Sequence, residues 1–191
     1  MKIYFTASLR GKKRFDRNYR KIVSVLETTG CDVDSEQILE NDPEKGAFKG
    51  REDAIRIYRK LNQMIKQADV IVAEVSHQSV SVGHEISLAL ENGKPVIALY
   101  SIDKAPSLLA GNPNELLQVI KYNMEDLEKV VKKAILKAAE KADVRFNFFV
   151  TPKILAYLDW LSQKKRIPRA VYLRNLIEKD MKYSKDYQKE G

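Results

Sequence analysis

Short strand-like runs alternate with helix-like runs along this chain, which predicts an α/β fold on an open, mostly parallel, doubly wound sheet of the Rossmann-like or flavodoxin-like kind. Two observations carry the expectation. Residues 70–75, VIVAEV, form a continuous apolar run of the type buried on both faces of a parallel sheet. The segments on either side carry apolar residues at helical spacing, with short links between.

The first strand is KIYFT at 2–6, rich in β-branched and aromatic residues. After the polar turn SLRGKKR, residues 15–29 read as a helix with Tyr19, Ile22, Val23, Val25 and Leu26 near one face, ended by Gly30. CDVD is a second strand, and residues 41–50 form a loop by their Pro and Gly content. Residues 53–67 are helical, with Ile57, Leu61, Met64 and Ile65 in register. Strand 70–75, helix 83–92 and strand 95–100 continue the alternation. Helix 124–139 carries Leu127, Val130, Val131, Ala134, Ile135 and Ala138, with Asn123 as its N-cap.

From Val144 the pattern changes. VRFNFFV alternates, with Phe146, Phe148 and Val150 on one side and Arg145, Asn147 and Phe149 on the other. Thr151 and Pro152 are a helix-start signal. Ile154, Leu155, Leu158 and Leu161 line the helix that follows. After KKRIPRA a second helix runs over 170–181, with Leu173, Ile177 and Met181 inward. The expected domains are 1–142, a strand-helix-helix module at 143–182, and a flexible tail at 183–191.

Composition narrows the function. At 191 residues, 44% of them apolar, the chain can build a real core. It holds no run long enough to span a bilayer and no signal-peptide pattern at its start. A lone cysteine, Cys31, excludes an internal disulfide and fits the cytoplasm. With two histidines and one cysteine, no metal and no cofactor are expected. The formal charge is +8, of which residues 144–191 supply +6 through eleven Lys/Arg against five Asp/Glu. That balance suits an anionic partner for the C-terminal module or a solvated basic surface.

Ligands on such sheets bind beyond the carboxyl ends of the strands. Glu85 is expected there, near a helix start, where the macrodipole favours a charged carboxylate. It suits a nucleophile, or a plain first-turn charge. Glu74 stands at the ligand end of its strand, as a second carboxylate or as the partner of a buried basic group. Asp69 begins the same strand and lies farther from that edge than Glu74. A carboxylate pair around one centre is the usual equipment for glycosidic cleavage. Ser8, Arg10 and Gly11 follow the first strand, and Ser79 and Ser81 precede Gly83. Serine hydroxyls, glycine amides and a forked guanidinium suit a phosphate, although the spacing is not that of a Walker loop.

The segments IYFTASLRG at 3–11, ADVIVAEVSHQSVSVGHEISLALENGKPVIALY at 68–100 and PSLLAGN at 106–112 together resemble the nucleoside 2-deoxyribosyltransferase superfamily, most of all its deoxynucleoside 5'-monophosphate N-glycosidase branch. The resemblance covers about residues 1–140. It implies that Glu85 attacks the anomeric carbon, that Asp69 of the AD motif assists at the base, and that Tyr4 lies beneath the sugar. It implies a 5'-phosphate pocket of Ser8, Arg10, Gly11 and Ser79, with Ser81, Gly83 and Asn112 as weaker loop contacts. Ser107 would reach the phosphate from a neighbouring subunit of a homodimer or larger homo-oligomer. His84 stands where an aromatic residue is common, and Ser81 where a glycine is common, so base preference stays open. The activity implied is hydrolysis of deoxynucleoside 5'-monophosphates through a glycosyl-glutamate, or base exchange between nucleosides.

Residues 144–181 resemble a ribbon-helix-helix module. That implies pairing between copies and DNA contact through Arg145, Asn147 and Arg169. A dimerisation clip or a helical cap is the alternative, as is a nucleotide sensor that tunes DNA binding without catalysis.

Overall fold

A computed structural model describes residues 1–41, 50–140 and 149–184. The chain forms two compact units, Met1–Val144 and Arg145–Gly191.

In the first unit β1 (Lys2–Ala7), β2 (Asp32–Asp34), β3 (Val70–Glu74), β4 (Val96–Tyr100) and β5 (Leu117–Lys121) form one sheet in the order β2-β1-β3-β4-β5. Every pairing is parallel. The order is that of flavodoxin-like sheets, whose topological switch falls between β1 and β3, and a ligand is expected outside the carboxyl ends of those two strands.

The helices cover both faces, and strand alternation divides the residues between them. Ile3, Phe5, Val70, Val72, Ile97 and Leu99 pack with Tyr19, Ile22 and Leu26 of α1 (Lys12–Thr28) and with Leu127 and Val131 of α6 (Leu127–Ala139). Tyr4, Ile71, Ala73, Val96 and Ala98 pack with Met64 and Ile65 of α3 (Arg51–Gln67) and with Val82, Ile86 and Ala89 of α4 (Val80–Glu91). Each fully buried Ile or Leu contributes roughly 1.5–3 kcal/mol. All five β1-facing residues of α1 expected from periodicity are buried. On α3 only Met64 and Ile65 are, and Ile57 is exposed.

Several boundaries differ from expectation. The helix carrying Glu85 starts at Val80, not at residue 83, because Ser79 caps it and accepts from the Val82 N–H at 3.4 Å. The last helix of this unit starts at Leu127 after Asp126; Asn123 is no cap, and instead donates its N–H to Asp126 Oδ1 at 2.7 Å. β5 and two four-residue helices, α2 (Glu36–Leu39) and α5 (Ser107–Ala110), carry too little periodicity to be read. β5 is an edge strand of half-buried residues interrupted by Gln118. Residues 42–49 of the expected loop lie outside the described residues.

The second unit holds α7 (Pro152–Lys165) and α8 (Arg169–Tyr183). Thr151 caps α7 by accepting from the Ile154 N–H, and Pro152 fills its first turn. Leu158 and Leu161 are buried, whereas Ile154, Leu155, Ile177 and Met181 are exposed, so the expected inward stripe of α8 is not inward within the described residues. Arg145 and Asn147, the expected ribbon, and residues 185–191 of the tail lie outside the described residues. Arg169 is ion-paired with Asp159 of α7. Among the described residues, no helix is long and apolar enough to cross a membrane.

Candidate active site

The carboxyl ends of β1 and β3 bring a carboxylate, a phenol and a set of loop donors together. Glu85 lies in the second turn of α4, on the face that packs against β1. The macrodipole fades within the first turn. The expectation that a helix start stabilises this carboxylate is therefore replaced by a side-chain contact: the Tyr4 hydroxyl donates to Glu85 Oε2 at 3.0 Å. Burial pushes the Glu85 carboxyl up from its ordinary 4.5, while Thr6, Tyr4 and a nearby His84 charge pull it back toward the ionised form. Burial and the Glu85 charge push the Tyr4 phenol well above its usual range, so it stays a donor. Thr6 follows two residues after Tyr4 on the same face of β1. Its hydroxyl is completely buried beside Glu85 and makes no well-formed hydrogen bond of its own.

At the end of β1 the Ser8 hydroxyl oxygen accepts from the Gly11 N–H at 3.2 Å and lies 3.1 Å from His77 Nδ1. The same Nδ1 is 2.9 Å from the Gln78 carbonyl, which can only accept. Nδ1 therefore carries the ring proton, an assignment made from this network. That one proton is shared between the Gln78 carbonyl and Ser8 Oγ, and because a protonated Nδ1 cannot accept, the Ser8 O–H is free to donate to an anion. Gly11 is required by close packing: a Cβ there would stand 2.6 Å from His77 Cβ and 2.7 Å from the Tyr19 hydroxyl.

Residues 3–133 match the nucleoside 2-deoxyribosyltransferase family. The chain belongs to that family. A Syntrophotalea carbinolica protein named as a 2'-deoxynucleoside 5'-phosphate N-hydrolase is 34% identical over 136 residues, covering 69% of this chain and 92% of that protein. An Esox lucius protein named 5-hydroxymethyl-dUMP N-hydrolase is 30% identical over 142 residues, covering 69% and 94%. A solved 2-deoxyribosyltransferase of Bacillus psychrosaccharolyticus covers 75% of the chain and 100% of its own length, with a TM-score of 0.54 at 19% identity, and shares the fold. The family consists of enzymes, and the names of the first two relatives denote hydrolysis.

Within this deoxyribosyltransferase-family unit the expected site residues divide into three groups. Glu85, Tyr4, Ser8, Gly11 and Ser79 converge on the carboxyl ends of β1 and β3. Ser81 and Arg10 are exposed; Ser107 and Asn112 are exposed on and just after α5, beyond the end of β4. Gly83 faces open space, with nothing within 4 Å of where a Cβ would stand. Asp69 is the correction. It sits before β3, at the opposite edge of the sheet, and accepts from the Lys2 N–H at 2.7 Å. That bond ties β1 to β3 at the amino end of the strands.

Glu74 is the second correction. It projects from the face of β3 that meets α1 and α6, away from Glu85, and pairs with Tyr122 and Ser76 and not with a basic group. Glu74 thus lies on the opposite face of β3 from the one that meets Glu85. Sequence reasoning missed Thr6, although the two-residue period of β1 puts it beside Tyr4. It also missed the contact of His77 with Ser8, which no spacing encodes. His84 is exposed and stacks on Tyr58 at 5.9 Å. Two shallow surface hollows lie along the outer side of α3, one at Glu52, Arg56 and Arg59 and one at Asn62, Gln63 and Lys66.

Proposed function

We propose that the protein hydrolyses the N-glycosidic bond of deoxynucleoside 5'-monophosphates, giving free base and deoxyribose 5-phosphate. One observation carries this: a buried carboxylate, held by a phenol that keeps its proton and donates it, beside a serine whose O–H is left free by its own partners. Ser8, Arg10, the Gly11 loop and Ser79 bind the 5'-phosphate. Binding energy from that remote group holds the sugar over Glu85. A Glu85 oxygen attacks C1', and the C–N electron pair leaves with the base, which takes up a proton. Water then cleaves the glycosyl ester and restores the carboxylate. Tyr4 orients the attacking oxygen and lowers its pKa in the ionised state.

The protein is further read as a homo-oligomer in which Ser107 meets the phosphate of a neighbouring subunit. The exposure of Ser107 and of Leu108 next to it supports that reading. Base exchange is the second reading, favoured by the family itself; it differs only in whether water or a second base opens the ester. Contact of the C-terminal unit with DNA gains no support from residues 149–184, where Arg169 is paired with Asp159 and Phe149 is fully exposed.

The test is chromatography of a panel of deoxy- and ribonucleotides, with and without 5'-phosphate, incubated with wild type and Glu85→Ala. Free base should appear from deoxynucleoside monophosphates with wild type alone. Undiminished release by Glu85→Ala would end the assignment of the nucleophile, and a second base added to the mixture separates hydrolysis from exchange.

A further inference from the structure

Glu74 has no part in the reaction, yet it is completely buried at the carboxyl end of β3. Its Oε1 accepts from the Ser76 hydroxyl and from the Tyr122 hydroxyl, the latter at 3.1 Å. Its Oε2 accepts from the Ser76 N–H at 3.3 Å. The direction of each bond is fixed from outside. Asn18 Nδ2 donates to the Tyr122 oxygen at 2.8 Å, and the Ser101 N–H donates to the Ser76 oxygen at 2.8 Å. Each hydroxyl oxygen thus receives a proton from outside and turns its own toward Glu74 Oε1, and the Ser101 hydroxyl, 3.1 Å from Ser76 Oγ, joins the same network. The network joins α1 through Asn18, the end of β4 through Ser101 and the end of β5 through Tyr122.

One residue beyond Ser76 stands His77, which meets Ser8 and packs against Gly11. Three residues beyond stands Ser79, the cap of α4. Tyr19, next to Asn18 on α1, donates to the Ser8 carbonyl at 3.2 Å. The two loops assigned to the phosphate are thus fastened to one buried carboxylate on the far side of the sheet from the nucleophile.

We propose that Glu74 is a positioning residue for phosphate binding: as the hub of this network it fixes the 76–79 loop against the 8–11 loop. This rests on the phosphate reading given above. Because Glu85 is held separately by Tyr4 on the other face, the network sets affinity for the phosphorylated sugar and leaves the chemical step alone. A glutamine at 74 keeps one oxygen for the two hydroxyls but turns an N–H group toward the Ser76 N–H, so at least one bond is lost.

The experiment measures the Kd of deoxyribose 5-phosphate by calorimetry, and kcat and KM for deoxynucleoside monophosphates, in wild type, Glu74→Gln, Ser76→Ala and Tyr122→Phe. Loss of a buried hydrogen bond implies that Kd and KM rise about 10-fold in Glu74→Gln and by less in Tyr122→Phe, with kcat within about 2-fold. Unchanged Kd in folded Glu74→Gln, or a loss confined to kcat, overturns the assignment. If Glu74→Gln does not fold, Ser76→Ala and Tyr122→Phe decide it, and wild-type affinity in both overturns it. Wild type that releases base equally with and without the 5'-phosphate has no phosphate cradle; Glu74 then loses this role while Glu85 keeps its own. Wild type that releases no base yet binds deoxyribose 5-phosphate in a Glu74-dependent way keeps the role of Glu74 and refutes the reaction.

Discussion

Replacing Gly11 by Ala tests the contact between the two loops directly. The glycine sits at φ −70°, which any residue adopts, so no backbone strain arises. The whole effect is one of space. The new methyl would lie 2.6 and 2.9 Å from His77 Cβ and Cγ and 2.7 Å from the Tyr19 hydroxyl, against the 3.5–4.0 Å of ordinary carbon contacts. Tyr19 is completely buried and bonded to the Ser8 carbonyl, so it cannot yield. His77 is half-buried and moves instead, carrying its ring away from Ser8. Overpacking of this kind costs about 1–3 kcal/mol, and alanine is also a poorer helix cap than glycine. Urea unfolding should show a loss of that size with an unchanged m-value, and KM for a deoxynucleoside monophosphate should rise. Gly30→Ala is the control. There φ is +77° with nothing within 4 Å, so about 1–2 kcal/mol of strain is expected with KM intact. Wild-type stability and KM in Gly11→Ala would refute the packing of the loops.

Tyr4→Phe removes the donor that favours the ionised Glu85, so kcat/KM should fall about 10- to 100-fold. The acid limb of its pH profile, already above the ordinary 4.5 because burial raises Glu85, should move higher still; an unmoved limb would count against Tyr4. Glu85→Gln should abolish turnover but stabilise the fold at pH 7. The folded pKa lies above the unfolded one, so the protonated form contributes stability below pH 4.5 that is lost as pH rises through the folded value. Thermal unfolding should show the gap between variant and wild type closing below pH 4.5. Asp69→Asn should cost up to about 1–2 kcal/mol through its bond to the Lys2 N–H and leave kcat unchanged; a large fall in kcat would return Asp69 to the site.

The sheet was legible because β3 is buried at all five positions and apolar at the first four, and α1 keeps strict helical spacing. The second unit was less so. Ile177 and Met181 keep a helical interval, but periodicity states only that a face is apolar, not that something covers it. Glu85 and Ser8 could be placed at the ligand edge from the order of elements. The error over Asp69 and Glu74 has one origin, which is that a strand has two ends and two faces. Asp69 lies at the wrong end and Glu74 on the wrong face, and a pattern of residue types along one strand does not reveal what its neighbours present. The Tyr4 contact with Glu85 joins residues 81 positions apart and depends on the parallel pairing of β1 with β3.

Every odd residue of β1 from Ile3 to Ala7 belongs to one core, and Tyr4 and Thr6 to the opposite side. Point substitutions along this strand can therefore be absorbed one at a time, but a change in its length cannot. Deleting or inserting a single residue between Ile3 and Ser8 would rotate Phe5 onto Glu85 and bury the Tyr4 phenol among the aliphatics of α1. Lineages that keep the activity should vary in the spelling of this strand and never in its letter count.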